Sequence, residues 1–346
     1  MSTQSASIEP GYAVIASRTE TQAPVRRWAW IGGGFCVFFA YLLVRWAAAG
    51  NATPNSQGAS AAPSWMHVAV WVHIALGALA LAFVVWWFLV RPWRVERRVT
   101  SDGLFMLACL TCFWGDLAAN YFRYWVVYPT VWPNLGSWYN FIPGWRSPNG
   151  QLQAEATIFF LPMYAACMFA FTTIGIIAMR KVQASRPPVS KAALFLTAWL
   201  VMALTDLVLE VFWVRLGLFV YPSTVHALTL FPGRYYQFPI YESIFWGLGW
   251  AVLCAVRYSK NDRDETVVER GADRIPGTNR RRLVYRFLAL CAVANLSLLG
   301  YNVATALIST QADAWPRDFT TKPYVTHGLC SADSTYACPD GVAPAP

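Results

Sequence analysis

ALFLTAWLVMALTDLVLEVFWV, residues 193–214, is apolar from end to end except for two threonines, Asp206 and Glu210. About 20 such residues, at a rise of 1.5 Å each, cross a hydrocarbon core roughly 30 Å thick. The stretch therefore reads as a spanning helix. A helix turns once in about 3.6 residues, so Asp206 and Glu210 share one face of it. A carboxylate at the midplane costs roughly 2.5–3.5 kcal/mol on insertion scales. The chain accepts this twice, because FMLACLTCFWGDLAANYFRYWVVY, residues 105–128, carries Asp116 and, four residues on, Asn120. Acids placed at such a cost point to a function that uses them.

Working outward, apolar runs recur at about 28–48, 67–90, 102–127, 153–179, 192–218, 240–258 and 283–309. Only 13% of residues are charged, about half the roughly 25% of soluble domains. The expected fold is all-α: a polytopic membrane helix bundle with about seven transmembrane helices. A net charge of +9 would suggest nucleic acid in a soluble chain, but here the cations follow topology and no nucleic acid is expected. Arg26 and Arg27 precede the first run, whereas Ala49 to Trp65 carries no charge. Arg91, Arg94, Arg97 and Arg98 crowd the next loop, and Pro129 to Gln151 holds only Arg146. Arg180, Lys181, Arg186 and Lys191 follow, then a segment with Arg234, then the charged loop ending in Arg280, Arg281 and Arg282. The positive-inside rule puts the N-terminus in the cytoplasm and the C-terminus outside. Residues 1–27 read as a disordered cytoplasmic arm, 28–309 as the transmembrane domain and 310–346 as an extracytoplasmic tail.

Six cysteines (Cys36, Cys109, Cys112, Cys167, Cys254 and Cys291) fall within the apolar runs as small hydrophobic residues. Cys330 and Cys338 lie in the outer tail, where a disulfide can persist. The Cys109-x-x-Cys112 pair has no second Cys or His pair at ligand spacing, and His67 and His73 are out of phase on a helix. No metal site is expected. No phosphate loop, dinucleotide fingerprint or nucleophile–base motif occurs either, so no cofactor is expected.

Two hairpins resemble each other. Asp116-Leu117-x-x-Asn120-x-Phe122 matches Asp206-Leu207-x-x-Glu210-x-Phe212. Tyr128-Pro129-Thr130 and Tyr221-Pro222-Ser223 follow, then the turns Pro143-Gly144 and Pro232-Gly233, then Glu155 and Glu242. This suggests a parallel repeat about an axis along the membrane normal, although short matches in Pro, Gly and Tyr also arise by chance at membrane interfaces. Intramembrane polar groups face the bundle interior. The expected site is a polar cavity in the outer half, formed by Asp116, Asn120, Arg123, Glu155, Asp206, Glu210, Glu242 and, on the last helix, Asn295 and Asn302.

Neighbouring carboxyl groups in a low-dielectric site cannot all ionise, so one serves as acid and another as base. That suits acid–base work on an uncharged, lipophilic small molecule. The polytopic pattern, WGDLAANYF at 114–122, GSWYNFIPGW at 136–145 and FPGRYYQFPIYE at 231–242 together resemble the AveC-like spirocyclases of actinobacteria, most clearly over about 101–258. The resemblance implies closure of a spiroketal on a polyketide-like substrate in secondary metabolism, by loss of water from a dihydroxy-ketone. It supplies no catalytic signature, so the roles follow from chemistry. Glu210 or Glu242 would be the acid, and Asp206 and Asp116 would stabilise the cation. Asn120 and Asn302 would orient the chain, while Arg123 would pair with an acid and Glu155 would face the substrate. Rival readings are a terpenoid or carotenoid cyclase, a proton-coupled transporter, and a non-catalytic scaffold for lipid or terpenoid metabolism.

Overall fold

Thr100, Ser190 and Thr278 each cap a helix by accepting, through the side chain, from a backbone N–H three residues on. These caps mark where apolar sequence begins to wind. The computed structural model describes residues 24–55, 62–185, 188–326 and 329. Most of the N-terminal arm and of the tail, with Cys330 and Cys338, lies outside the described residues.

Seven helical segments make up the bundle: α1 (Pro24–Ala48), α2 (Ser64–Glu96, including one π-turn), α3 (Ser101–Leu110), α4 (Thr157–Ser185), α5 (Lys191–Arg215), α6 (Ile240–Tyr258) and α7 (Asn279–Ser309). Among the described residues six helical stretches are long and apolar enough to cross a membrane, Ser101–Tyr121 counted as one. Ile240–Tyr258 is not among them; it is shorter and carries Glu242 and Arg257 near its ends. Among the described residues, strand structure is confined to the short pair Thr229–Leu230 and Phe238–Pro239, antiparallel, plus isolated bridges.

The outer faces of α1, α2 and α5 are apolar: Trp30, Val37, Leu79 and Val208 all project outward, Trp30 with 79% of its surface exposed. Exposed apolar area of this extent suits lipid contact. Inside, small residues let backbones meet, as in membrane helix pairs. A side chain at Gly32 of α1 would overlap the Leu288 carbonyl of α7, and one at Gly247 of α6 would meet the Ala203 backbone of α5. At one end of the bundle Arg257, buried in α6, donates to Asp102 of α3 at 3.1 Å and to the Phe169 carbonyl of α4 at 3.0 Å. It also donates to Thr172 and Thr173 of α4, so one guanidinium ties three helices.

The third run departs from a continuous helix. Regular α-helix stops at Leu110, and two short 3₁₀ turns, Phe113–Gly115 and Ala118–Tyr121, carry the chain onward. Gly115 weakens helix here, and side chains claim the freed backbone groups. Asn120 accepts from the N–H groups of Trp125 (2.7 Å) and Val126 (2.8 Å) and donates to the Val126 carbonyl (2.7 Å). The Tyr139 hydroxyl accepts from the Leu117 N–H at 2.7 Å. Such local bonds compete with helix. Asp116 and Asn120 therefore do not share a helix face, whereas Asp206 and Glu210 do. Val127 and Val220, which immediately precede the two Tyr-Pro-hydroxyl steps, bridge one another through reciprocal bonds of 2.9 and 3.0 Å.

Candidate active site

The continuous helix α5 sets Asp206 and Glu210 one turn apart, and the first turn of α6 brings Glu242 against them. One carboxylate oxygen from each lies within 4.8 Å of the other two. Glu210 and Glu242 are buried. Tyr221, in the loop after α5, donates its hydroxyl to Glu210, and Tyr301 of α7 stands beside Glu242. Three carboxyl groups this close, among apolar side chains, would repel one another if all were charged.

Glu210 and Glu242 open onto a cavity of about 110 Å³. A single water needs only about 10–15 Å³ by a comparable measure, so the space takes several waters or the reacting end of a larger molecule. Asp116 lies on the same cavity and accepts from the Tyr164 hydroxyl at 2.7 Å. Tyr128 also borders it, and Trp213, Trp246 and Trp250 wall it with aromatic faces. Asp206 faces a smaller adjoining space of about 30 Å³ that shares Glu210 and the three tryptophans. The second carboxylate oxygens of Asp116, Asp206 and Glu242 are buried without a hydrogen-bond partner among the described residues. Buried polar atoms are rarely left so.

The remaining candidates are placed elsewhere. Asn120 is fully buried and spent on its own loop and on Gln153, at 2.9 Å. Arg123 is exposed. Glu155 is buried, takes the Tyr139 hydroxyl and does not border the cavity. Asn295 binds Trp114 (2.7 Å) and Thr111 (2.8 Å). Asn302 donates to the Gly115 carbonyl at 2.8 Å and lines a separate apolar groove. The hydroxyl partners Tyr128, Tyr164, Tyr221 and Tyr301 are the residues that sequence reading left out of the site. Tyr164 and Tyr301 had a usable signal, since they lie inside apolar runs rather than at the interface where tyrosine collects.

The three carboxylates of Asp206, Glu210 and Glu242 are also spaced as ligands of a hard cation could be. Such a cation takes six to eight oxygens, some of them from water, and the Tyr221 and Tyr301 hydroxyls belong to the same cavity lining.

The sequence matches the family model described as "Spirocyclase AveC-like" over residues 96–325, well over half of the chain. The chain belongs to the AveC-like spirocyclase family. Neither the curated proteins nor the solved structures give a match. The matched span contains every acid of the site, from Asp116 to Glu242, whereas α1 and nearly all of α2 precede it.

Proposed function

We propose that the protein is a membrane-embedded acid–base cyclase-dehydratase that closes a spiroketal, or a related ring, on a lipophilic polyketide-like substrate. The observation that carries this reading is the meeting of Asp206, Glu210 and Glu242 within 4.8 Å beside an aromatic cavity that Asp116 also borders. One hydroxyl of a dihydroxy-ketone adds to the carbonyl to give a hemiketal. Glu210 or Glu242 then passes its proton to the hemiketal hydroxyl, the C–O bond breaks and water leaves. The resulting oxocarbenium ion faces carboxylate charge from Asp206 and Asp116 and the indole faces of Trp213, Trp246 and Trp250, which attract cations. The second hydroxyl attacks the same carbon and yields its proton to the carboxylate set, restoring the acid. The division of labour parallels that of glycosidases. The protein itself would be multi-pass in the cell membrane, its N-terminus cytoplasmic and its C-terminus extracytoplasmic, as the alternation of Arg and Lys between loops supports.

The test is mass spectrometry on membranes incubated with a lipophilic dihydroxy-ketone, with the Asp206→Asn/Glu210→Gln variant alongside. The expected result is loss of one water to a single stereoisomer, absent in the variant although it inserts normally. Full turnover by the variant would overturn the assignment. Proton-driven uptake into vesicles without conversion would move the reading to transport.

A further inference from the structure

Between α1 and α7 lies a second space, an apolar groove of about 630 Å³, several times the volume of the acidic cavity. Its walls are hydrocarbon and ring, among them Phe35, Phe38, Trp114, Val303 and Ala306. Two polar side chains interrupt them, Asn302 and Tyr121. Asn302 is only 3% exposed and borders the groove; its Nδ2 is committed to the Gly115 carbonyl at 2.8 Å, and its Oδ1 accepts from no described residue. The Tyr121 hydroxyl also borders the groove but already donates to the Pro143 carbonyl, at 3.1 Å. A water at Oδ1 would lack the two to four polar partners that hold buried waters. Phospholipid acyl chains would fill the apolar walls, but they carry no donor at this depth, since Asn302 lies seven residues, or roughly 10 Å, inside the end of α7. The unmet requirement is for one hydrogen-bond donor on an otherwise apolar chain.

We infer that this groove is a binding site for an elongated lipophile bearing a hydroxyl group, which donates to Asn302 Oδ1 while its hydrocarbon lies between α1 and α7. The site is separate from the acid centre and its existence does not depend on the acid–base reading. It is nonetheless joined to that centre, because the carbonyl that Asn302 holds belongs to Gly115, the residue before Asp116. The groove and the acidic cavity thus use opposite sides of the irregular segment 113–121 and of α7, where Leu298 borders one and Leu299 the other.

A direct test uses a tritiated, diazirine-bearing long-chain alcohol and the matching hydrocarbon, photolysed with the full chain in nanodiscs. The alcohol should label peptides from α1 and α7 at least ten-fold above the hydrocarbon at equal concentration. Asn302→Leu, which keeps the volume and removes the acceptor, should bring the two probes level. Val303→Trp, at a half-exposed position on the groove wall, should suppress labelling while leaving Asn302 and its bond to Gly115 intact. Equal labelling by both probes in the unaltered protein would overturn the site and leave a lipid-filled surface. Preference for the alcohol that persists in Asn302→Leu would overturn the role of the amide. Neither readout involves turnover, so loss of the groove site and loss of the acid assignment are told apart.

Discussion

At the scale of single residues, the hydroxyl neighbours of the acids make the sharpest predictions. Tyr221 donates to Glu210, and a hydrogen bond to an ionisable partner contributes about 1.5–3 kcal/mol. Tyr221→Phe should therefore lower kcat by roughly 10- to 100-fold, with KM nearly unchanged, in the dihydroxy-ketone assay. Asp116 lines the same cavity, where it accepts from the Tyr164 hydroxyl. If it stabilises developing positive charge, Asp116→Asn should reduce kcat by about 10²-fold, the order seen when one preorganised electrostatic partner is removed. Arg123→Ala provides the contrast. The side chain is exposed, so an unchanged kcat is the expected outcome, and a drop comparable with that of Asp116→Asn would show that the cavity reaches further than its present walls.

Among helices and loops, two polar side chains hold the architecture. Arg257 ties α3, α4 and α6 from a buried position. Removing one partner of a buried ionic network costs about 3–5 kcal/mol, so Arg257→Met should lower the unfolding midpoint in nanodiscs far more than Arg263→Met, whose pair with Asp273 is solvent-exposed. Asn120→Ala deletes bonds to the N–H groups of Trp125 and Val126 and to the Val126 carbonyl. At about 1 kcal/mol each, a loss near 3 kcal/mol is expected by the same measurement. These elements also mark the limit of what the sequence discloses. Apolar runs announce the seven segments of the bundle, and four-residue spacing puts Asp206 beside Glu210 because α5 is regular. The same spacing misleads for Asp116 and Asn120. Gly115 and the Asn120 amide break α3 through contacts with Tyr139, Trp125 and Val126, and contacts of that kind leave no periodic trace. The approach of Glu242 to the α5 acids depends on the packing of Gly247 against Ala203, which spacing within one helix cannot reveal.

For the molecule as a whole, the distribution of charge and of apolar surface predicts orientation. Alkaline phosphatase fused after Asn149 should be active and fused after Arg97 inactive, because the first loop is nearly free of cations and the second lies among Arg91, Arg94 and Arg98. Reversed activities would invert the proposed topology and place the acidic cavity nearer the cytoplasmic face.

The close seat of Gly32 against the Leu288 carbonyl has a consequence for how members of this family could diverge. The acids all fall within residues 96–325, whereas Ile31, Gly34, Phe35 and Phe38, which form one bank of the groove, lie before that span. One bank of the groove is thus encoded apart from the acids, while Asn302 and the facing bank lie in the same span as they do. An exchange of the first helix alone, with glycine kept at position 32, could re-specify the length and branching of the chain that is held while the chemistry stays as it was.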